Sequence, residues 1–344
     1  MAASTWTSGT EGVSVVSYNL LGHHHWYWDS SWAATPDSLP WPQRLEAFVH
    51  ELGTLDADVI CCQEVTQEMF ASLLPQLAAK GYLGLLALRH LPEWTYNEGW
   101  EASQLGLAVF TRHASLEVME TSHRFARDFL SEKEYDVDKS KISACLMKRQ
   151  DSVLMCKIRR RQLAKMPDDF IIACAHAVWW YDDDPKSPIA AKPVQMMLMV
   201  RAVKEFADRC GVDERFVTLC GDFNTMPRKG CSSSSYDDTA GYELFTTGIL
   251  PKDHREHPAQ HGWDLPDLRT PLKLSSAYNV ALGTEPSFTT KTSGFTAAID
   301  FIFFGEGFEV ESVLPMPGEC EPCPNKDHPS DHLPIGATLK QKRA

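Results

Sequence analysis

The chain has 344 residues, a composition that is 43% hydrophobic and 23% charged, and a formal net charge of −13 at pH 7. These values are typical of a soluble globular protein, and no stretch approaches the ~18 consecutive apolar residues that a membrane-spanning helix needs. The acidic charge argues against a protein that coats nucleic acid by bulk electrostatics. It allows a nuclease, because carboxylates can bind divalent cations that attract a phosphate.

The N-terminal segment and the cysteines bear on cellular location. Residues 1–12 have neither the basic start and apolar core of a secretory signal nor the arginines of a transit peptide, so we expect a short disordered lead. The ten cysteines are scattered through apparent strands, which favours buried free thiols in a reducing compartment. We therefore expect a cytoplasmic protein, with the nucleus as the alternative.

Strand-like and helix-like segments alternate from residue 13 to residue 339. Apolar side chains at helical spacing predict helices at residues 42–52, 67–81 and 192–211. Apolar runs predict strands at residues 13–21, 57–65, 105–112, 116–120, 142–148, 152–158, 170–176, 215–224, 297–305, 308–315 and 334–339. No internal repeat or linker interrupts this order. It predicts one α/β domain over residues 13–340, with two packed mixed β-sheets flanked by helices.

Polar side chains recur where these apolar strands end. They are Asn19, Glu64, His176, Asp222, Asn224 and Asp300, and the sequence Ser-Asp-His at residues 330–332 directly precedes the last strand. Each alone is a weak signal, since a strand-end Asp is usually a turn or cap and a lone His is usually structural. Together they contain what metal-assisted phosphate ester hydrolysis requires: a carboxylate for a hard cation, a carboxylate that orients water, and donors for the developing charge. Glu64, Asp222 and His332 with His176 can fill these roles in that order.

One pair among these residues has a simple geometric explanation. If the strand at 215–224 continues through "GDFN", a side-chain period of two places Asp222 and Asn224 on the same face. Asp222 would then act on the water while Asn224 positions the phosphate or the base.

The ordered segments "SYNLL", "CCQEV", "AHAVWW", "CGDFNTMP", "AIDFIFF" and "PSDHLPI" resemble the endonuclease/exonuclease/phosphatase superfamily over about residues 13–340. That resemblance implies a four-layer α/β sandwich and metal-dependent phosphoester cleavage. Residues 41–84 and 272–304 are similar to the carbon-catabolite-repressor type of poly(A) deadenylase and to its nocturnin and Angel relatives.

The resemblance also implies a role for each strand-end residue. Glu64, with Asn19 and Asp331, would bind Mg²⁺, with Mn²⁺ as a possible substitute. Asp222 would activate or orient water, and Asn19 and Asn224 would fix the phosphate site. His176 would stabilise the transition state, and Asp300 would orient His332.

Recognition of the substrate is implied by two further positions. The deadenylases hold an adenine base between a phenylalanine and a proline, which match Phe295 and Pro185 here; packing within a core or loop is the alternative for Phe295. The chain departs from the family pattern at Val178, where a second histidine is common, and at residues 105–108. Substrate contacts in those two loops are therefore open.

These observations predict a Mg²⁺-dependent 3′ to 5′ exoribonuclease of the poly(A)-specific deadenylase type, which hydrolyses phosphodiester bonds and releases 5′-AMP. Its partner would be an RNA 3′ end, in the first place poly(A), and no membrane is implied. No leucine-rich repeat is visible, so docking to a larger deadenylase complex is not implied. The alternatives are a nocturnin-like dinucleotide 2′-phosphatase, a 2′,5′-oligoadenylate phosphodiesterase, and a catalytically dead relative that binds RNA or protein. Every core motif position is filled, which disfavours the last.

Three other motifs receive simpler interpretations. The basic cluster at residues 157–165 is expected to be a solvated strand end, with a nucleic-acid backbone contact as the alternative. His23, His24 and His25 are adjacent and cannot all converge on one ion, so a substrate-rim loop is preferred to a metal site. Residues 320–328 supply Cys320, Cys323 and His328, but no second half of a zinc site is present.

Overall fold

Two six-stranded mixed β-sheets form the centre of the molecule. The computed structural model of the chain describes residues 12–22, 41–88, 105–129, 152–161, 169–177, 188–229 and 238–342. The strands are β1 (Val13–Asn19), β2 (Val59–Val65), β3 (Tyr82–Leu88), β4 (Gly106–Arg112), β5 (Leu116–Phe125), β6 (Ser152–Arg160), β7 (Phe170–His176), β8 (Val217–Asp222), β9 (Ile249–Leu250), β10 (Leu268–Arg269), β11 (Ser275–Ser276), β12 (Thr290–Lys291), β13 (Thr296–Ala297), β14 (Asp300–Phe304), β15 (Phe308–Val313) and β16 (Ile335–Gln341). The helices are α1 (Trp41–Leu55), α2 (Gln67–Ala78), α3 (Pro188–Arg209), α4 (Ala240–Thr247) and α5 (Ala277–Leu282).

The strand order places one parallel pair inside each sheet. The first sheet has the order β15-β16-β1-β2-β4-β3, and the second has β11-β14-β8-β7-β6-β5. Strands β1 and β2 are parallel, as are β7 and β8, whereas their outer neighbours β16, β4, β14 and β6 are antiparallel to them. Parallel strands end at the same edge of a sheet, so each pair brings its carboxyl-terminal side chains together.

The sheets pack face to face, and helices cover their outer faces. The core between the sheets contains Val15, Cys61 and Val109 from the first sheet and Ile172, Cys220 and Ile302 from the second. The outer face of the first sheet packs on α1 and α2 through side chains that include Phe48 and Leu73, and that of the second packs on α3 and α4 through Met199 and Phe245. Each such buried side chain contributes roughly 1.5 to 3 kcal/mol. The predicted four-layer α/β sandwich is confirmed.

The boundaries of several elements differ from those predicted. Helix α3 begins at Pro188, four residues before the predicted start, and β5 continues to Phe125. Strand β8 ends at Asp222, so the expectation of one strand through Asn224 is wrong. The predicted strand at residues 142–148 lies outside the described residues.

The described cysteines follow the prediction of buried free thiols with one exception. They are free thiols, and all of those described are buried except Cys320, which is partly exposed. In the described part of the chain, no helix is both long enough and apolar enough to cross a membrane.

Candidate active site

Side chains from both sheets meet where their parallel strands end. Asp222 pairs directly with His176 on one side and with Asp300 on the other, since β14 begins beside the end of β8. Strands β1 and β2 of the other sheet supply the remaining strand-end groups. The structure thus brings together and buries Asn19, Glu64, His176, Asp222, Asp300, Asp331 and His332, and Asn224 joins them half-buried.

Asn19 joins the two sheets through its carboxamide. Its Nδ2 donates to Oε1 of Glu64 at 3.1 Å and to Oδ2 of Asp222 at 3.0 Å. Its Oδ1 accepts from the backbone N–H of Leu21 at 3.0 Å, which fixes the orientation of the amide. The atom that faces the carboxylates is therefore a donor nitrogen. These contacts favour Asn19 as a bridge between two acids, while its predicted role as a metal ligand stays a prediction.

Glu64 reaches the site because the backbone is irregular at this residue. It adopts a left-handed conformation with φ of 58° at a bulge where β2 pairs with β4. A non-glycine residue in this region carries a conformational cost, and such residues occur often at functional sites. Its Oε2 accepts from the backbone N–H of Gly22 at 3.0 Å, so each of its oxygens has a donor.

Asp300 and His332 form a hydrogen-bonded pair. Oδ2 of Asp300 lies 2.8 Å from Nδ1 of His332 and also accepts from the hydroxyl of Thr289 at 2.6 Å. This arrangement leaves Nε2 of His332 facing Asp222, whose Oδ2 is 3.7 Å away. This hydrogen bond is compatible with the prediction that Asp300 orients His332, which stays a prediction.

His176 stands on the opposite side of the same carboxylate. Its Nε2 lies 3.6 Å from Oδ2 of Asp222 and 4.0 Å from Oε1 of Glu64. Two imidazole nitrogens and two carboxylates therefore surround one small region, at separations slightly longer than direct hydrogen bonds.

Asn224 lies beyond the end of β8. It adopts a left-handed conformation with φ of 50°, and its side chain donates to the carbonyl of Ala177 at 2.9 Å. Its backbone N–H donates to Oδ1 of Asp222 at 2.9 Å, and its carbonyl accepts from the buried Lys192 at 2.5 Å. Lys192 in turn pairs with Asp238 at 2.5 Å. The approach of Asn224 to Asp222 thus comes from a turn held by α3 rather than from the period of a strand.

Burial of the carboxylates makes their charge costly. Burial raises the pKa of Asp222 to about 7, with Asp300 acting in the same direction and His332 opposing. Burial also raises the pKa of Glu64, with Asp331 adding to the increase. The site therefore favours a bound cation, which would stabilise both carboxylate forms.

His332 experiences the opposite electrostatic effect. Burial alone would lower its pKa, but Asp300, Asp331 and Asp222 together raise it well above the usual value. The acidic neighbours thus favour the protonated imidazole, whose Nε2 can donate a hydrogen bond.

The donor set fits a divalent cation. Among the residues the structure describes, Asp222, Asp300 and His332 have ligand atoms within 4.8 Å of one another. Asp300 and His332 already bond to each other, however, and the acidic neighbours of His332 favour its protonated form, which cannot bind a cation through Nε2. Glu64 and Asp222, which share the amide nitrogen of Asn19, are the better ligands for a hard cation.

The predicted base-binding positions are only partly described. Phe295 is half-buried and packs on Met226, Ala297 and Ile299. It closes the β12–β13 hairpin, which bridges to His332 at Thr290. A loop-packing role and a base-stacking role are both compatible with this position, and stacking stays a prediction. Pro185, Val178 and His23 to His25 lie outside the described residues.

The basic cluster lies at the far end of the second sheet. Ser152 at the start of β6 pairs with His176, so Arg160 lies roughly 25 Å from the site at strand spacing. Lys157 and Arg159 both pair with Asp169, at 3.3 and 2.7 Å. These contacts favour the strand-end interpretation. In the described chain, Cys320, Cys323 and His328 do not form a group with metal-ligand spacing.

Sequence reasoning missed three residues that support the site. They are Thr289 beside Asp300, Lys192 beside Asn224, and Arg44, which is fully buried on α1. Only Arg44 had a local signal, because it falls four residues before Phe48 on the buried face of the helix.

Comparison with known proteins assigns the chain to a family. The model of the endonuclease/exonuclease/phosphatase family matches residues 16–332. The chain belongs to this family. The strand-end residues described above lie within that match, so the sequence resemblance is confirmed at the level of the family.

Several curated proteins are similar over nearly the whole chain. The human protein named 2′,5′-phosphodiesterase 12 is 26% identical over 96% of this chain and 52% of its own length. The Ccr4 subunit of the Saccharomyces cerevisiae CCR4-Not complex, named a 3′-5′-exoribonuclease, is 25% identical over 95% of this chain and 38% of its own length. The chain thus spans about half or less of these relatives.

Solved structures of other proteins support the fold. A crystal structure of ANGEL2, described as a 2′,3′-cyclic phosphatase, superposes with a TM-score of 0.71 at 19% identity and covers 97% of this chain and 96% of that one. The human Nocturnin catalytic domain gives a TM-score of 0.64 at 17% identity and covers 96% and 95%.

Proposed function

We propose that the protein is a metal-dependent phosphodiesterase of the exoribonuclease type, which removes 5′-AMP from the 3′ end of an adenylate-tailed RNA. The observation that carries the proposal is the convergence of Glu64, Asp222, His176 and His332 around one buried region, with Asn19 bonded to both acids. Similarity to Ccr4 at 25% identity supports the choice of RNA as substrate.

Each residue has a defined task in this reaction. Glu64 and Asp222 would hold a divalent cation, Mg²⁺ in our proposal, which supplies Lewis-acid stabilisation of the phosphoryl oxygens. Asp222 orients the attacking water and accepts its proton at a carboxylate oxygen. The water oxygen then bonds to phosphorus as the bond from phosphorus to the 3′ oxygen breaks, and the departing 3′ oxygen takes a proton from solvent to become the 3′-hydroxyl of the shortened RNA.

The donors stabilise the charge that develops on the phosphoryl group. Acidic neighbours raise the pKa of His332 and favour a protonated Nε2, and Nε2 of His176 lies on the other side of Asp222. Both can donate to non-bridging oxygens, and the carboxamide of Asn224 can fix the phosphate beside them. Donors placed in this way stabilise the charge that develops in the transition state. Such stabilisation is the largest contribution to the rate enhancement of many enzymes.

A second candidate is a 2′,5′-oligoadenylate phosphodiesterase. It is favoured by the 26% identity to the human 2′,5′-phosphodiesterase 12, which is close to the 25% identity to Ccr4. The same residues would perform the chemistry, so the two candidates differ only in the linkage that the site accepts.

A substrate panel tests both proposals. Purified protein would be given A-tailed RNA, U-tailed RNA, 2′,5′-linked oligoadenylate and NADP, each with Mg²⁺ and with chelator, beside the Glu64→Gln variant. Release of 5′-AMP from A-tailed RNA, lost in chelator and in the variant, is the expected result. Cleavage of only the 2′,5′-linked substrate would select the second candidate, and metal-independent cleavage would overturn both.

A further inference from the structure

Arg44 is buried beneath the site. It lies on α1 with no exposed surface, and its guanidinium stacks near Phe48 with 5.4 Å between the guanidinium carbon and the ring centroid. Burial lowers its pKa to about 10, and Asp331, Tyr18 and Glu64 oppose the decrease, so the group is charged at neutral pH. A fully buried charge is costly unless it is well bonded.

The hydrogen bonds of Arg44 connect two segments that are far apart in sequence. Its Nη2 donates to the carbonyls of Leu20 and Leu21 at 2.5 and 2.7 Å, and its Nε donates to the carbonyl of Pro329 at 2.7 Å. Residue 44 and residue 329 are 285 positions apart. The planar guanidinium presents its donors in fixed directions, so one side chain can fix the distance between two backbone segments.

Both segments support groups of the candidate site. The segment at 20–22 supplies the N–H of Leu21 to Asn19 and the N–H of Gly22 to Glu64, each at 3.0 Å. The segment at 329–332 carries Asp331 and His332. The hydroxyl of Ser330 also donates to the carbonyl of Asn19 at 2.6 Å, so the 329–332 segment contacts the residue directly before the 20–22 segment.

We propose that Arg44 is a positioning residue that sets the separation between the Glu64 end and the His332 end of the site. It does so by holding the carbonyls of the 20–22 and 329–332 segments on one guanidinium. The inference rests on the proposed function of the site, and it deepens it. Lysine cannot replace arginine here, because an ammonium is a compact charge on a flexible stem without a rigid fork of donors.

The test uses Arg44→Lys in the full chain, with Arg44→Gln as a second variant and Arg112→Lys as a matched control. Arg112 also lies over an aromatic ring, 4.6 Å from the Tyr82 centroid, and bonds to Asp56 at 2.5 Å. It lies at the far end of β4 from residue 106, which pairs beside Glu64. Hydrogen exchange is measured in chelator, and kcat and KM are measured on A-tailed RNA with saturating Mg²⁺.

We expect Arg44→Lys to fold and to increase exchange of the Leu21, Gly22 and His332 amides by at least ~10-fold, which corresponds to the loss of one charge-assisted hydrogen bond. The kcat should fall by at least ~10-fold while KM changes less than about threefold, because misplacement affects the reacting groups more than binding. Arg112→Lys should leave exchange in both segments and kcat within about threefold of wild type.

Several outcomes would overturn the inference. Unchanged exchange in both segments, or a kcat near wild type, would show that Arg44 does not position them. Failure of both Arg44 variants to fold beside a folded Arg112→Lys would make Arg44 a general stability element. If the wild-type chain cleaves no substrate, the proposed function fails, but the exchange measurement still decides whether Arg44 couples the segments.

Discussion

The Asp300–His332 pair offers a quantitative test of how the site works. The two side chains bond at 2.8 Å, and both are buried. A hydrogen bond to a charged group contributes ~1.5 to 3 kcal/mol, which corresponds to roughly 10- to 150-fold in rate at 1.4 kcal/mol per tenfold. Asp300→Asn keeps the shape of the side chain but removes its charge. We expect it to lower kcat/KM by a factor in that range.

The pair should behave as one unit. Because Asp300 acts through His332, the double variant Asp300→Asn/His332→Ala should be little worse than His332→Ala alone. The assay is a double-mutant cycle of kcat/KM on A-tailed RNA with Mg²⁺, and unfolding is measured in parallel to exclude misfolding. Strictly additive losses would refute the reasoning, because each residue would then act separately.

A pH profile adds a second readout for the same pair. Asp300 is one of the groups that raise the pKa of His332, so the Asp300→Asn substitution lowers that pKa. If protonated His332 is required, the high-pH limb of the kcat/KM profile moves to lower pH in Asp300→Asn. An unmoved limb would mean that the charge of His332 does not limit the reaction.

Three further predictions address the metal, the base and stability. Glu64→Gln should reduce activity by at least ~10²-fold, as expected when a main electrostatic group is lost, and near-normal turnover in this variant or in excess chelator would contradict the metal site. Phe295→Ala should weaken cleavage of A-tailed RNA by roughly 5- to 150-fold, because a stacking contact with the base is lost. Hydrolysis of a base-free phosphodiester should stay near the wild-type rate. Equal losses on both substrates, in a variant that is less stable, would assign Phe295 to packing. Burial raises the pKa of Glu51 to about 7 from 4.5, so its contribution to folding is present below about pH 4.5 and is lost as the pH rises through 7. The free energy of unfolding is measured by urea denaturation at pH 4.5 and pH 8.5 for both proteins. Between these two pH values the wild type should lose up to about 3 kcal/mol more stability than Glu51→Gln. An identical pH dependence in both proteins would show that the carboxyl is not buried as a neutral acid.

The strand-end residues could be predicted because two features of the sequence indicate them. Each follows an apolar run, and parallel strands end at a shared edge, so Asn19 and Glu64 meet in one sheet as His176 and Asp222 do in the other. Nothing local indicates that the two edges face each other. That arrangement follows from the packing of the sheets, and the family resemblance supplied it.

The local irregularities of the backbone could not be predicted from the periodicity of apolar residues. Asn224 sits near Asp222 through a left-handed turn held by Lys192, not through a strand period. Glu64 depends on a bulge that inserts it between two ladder positions. Such conformations are set by tertiary contacts with residues distant in sequence, which a local pattern does not contain.

Arg44 shows where the sequence held an unused signal. The spacing of residues 44, 48 and 52 places an arginine on the same stripe as Phe48 and Leu52, both fully buried. A charge on a buried helix face needs hydrogen-bonding partners that offset the free-energy cost of removing it from water. The sequence could therefore have indicated a buried arginine, but its backbone partners at residues 20, 21 and 329 follow only from the fold.

The electrostatics of the site are compatible with an acidic protein that acts on the acidic substrate that we propose. The formal net charge is −13. In the basic cluster, Lys157 and Arg159 are paired with Asp169 at the far end of the second sheet. Bulk attraction for RNA is therefore small. The raised pKa values of Asp222 and Glu64 show that the buried acids favour a compensating positive charge. A divalent cation there would supply it and would also attract the phosphate, so in the proposed function the buried carboxylates would create local affinity for a phosphodiester.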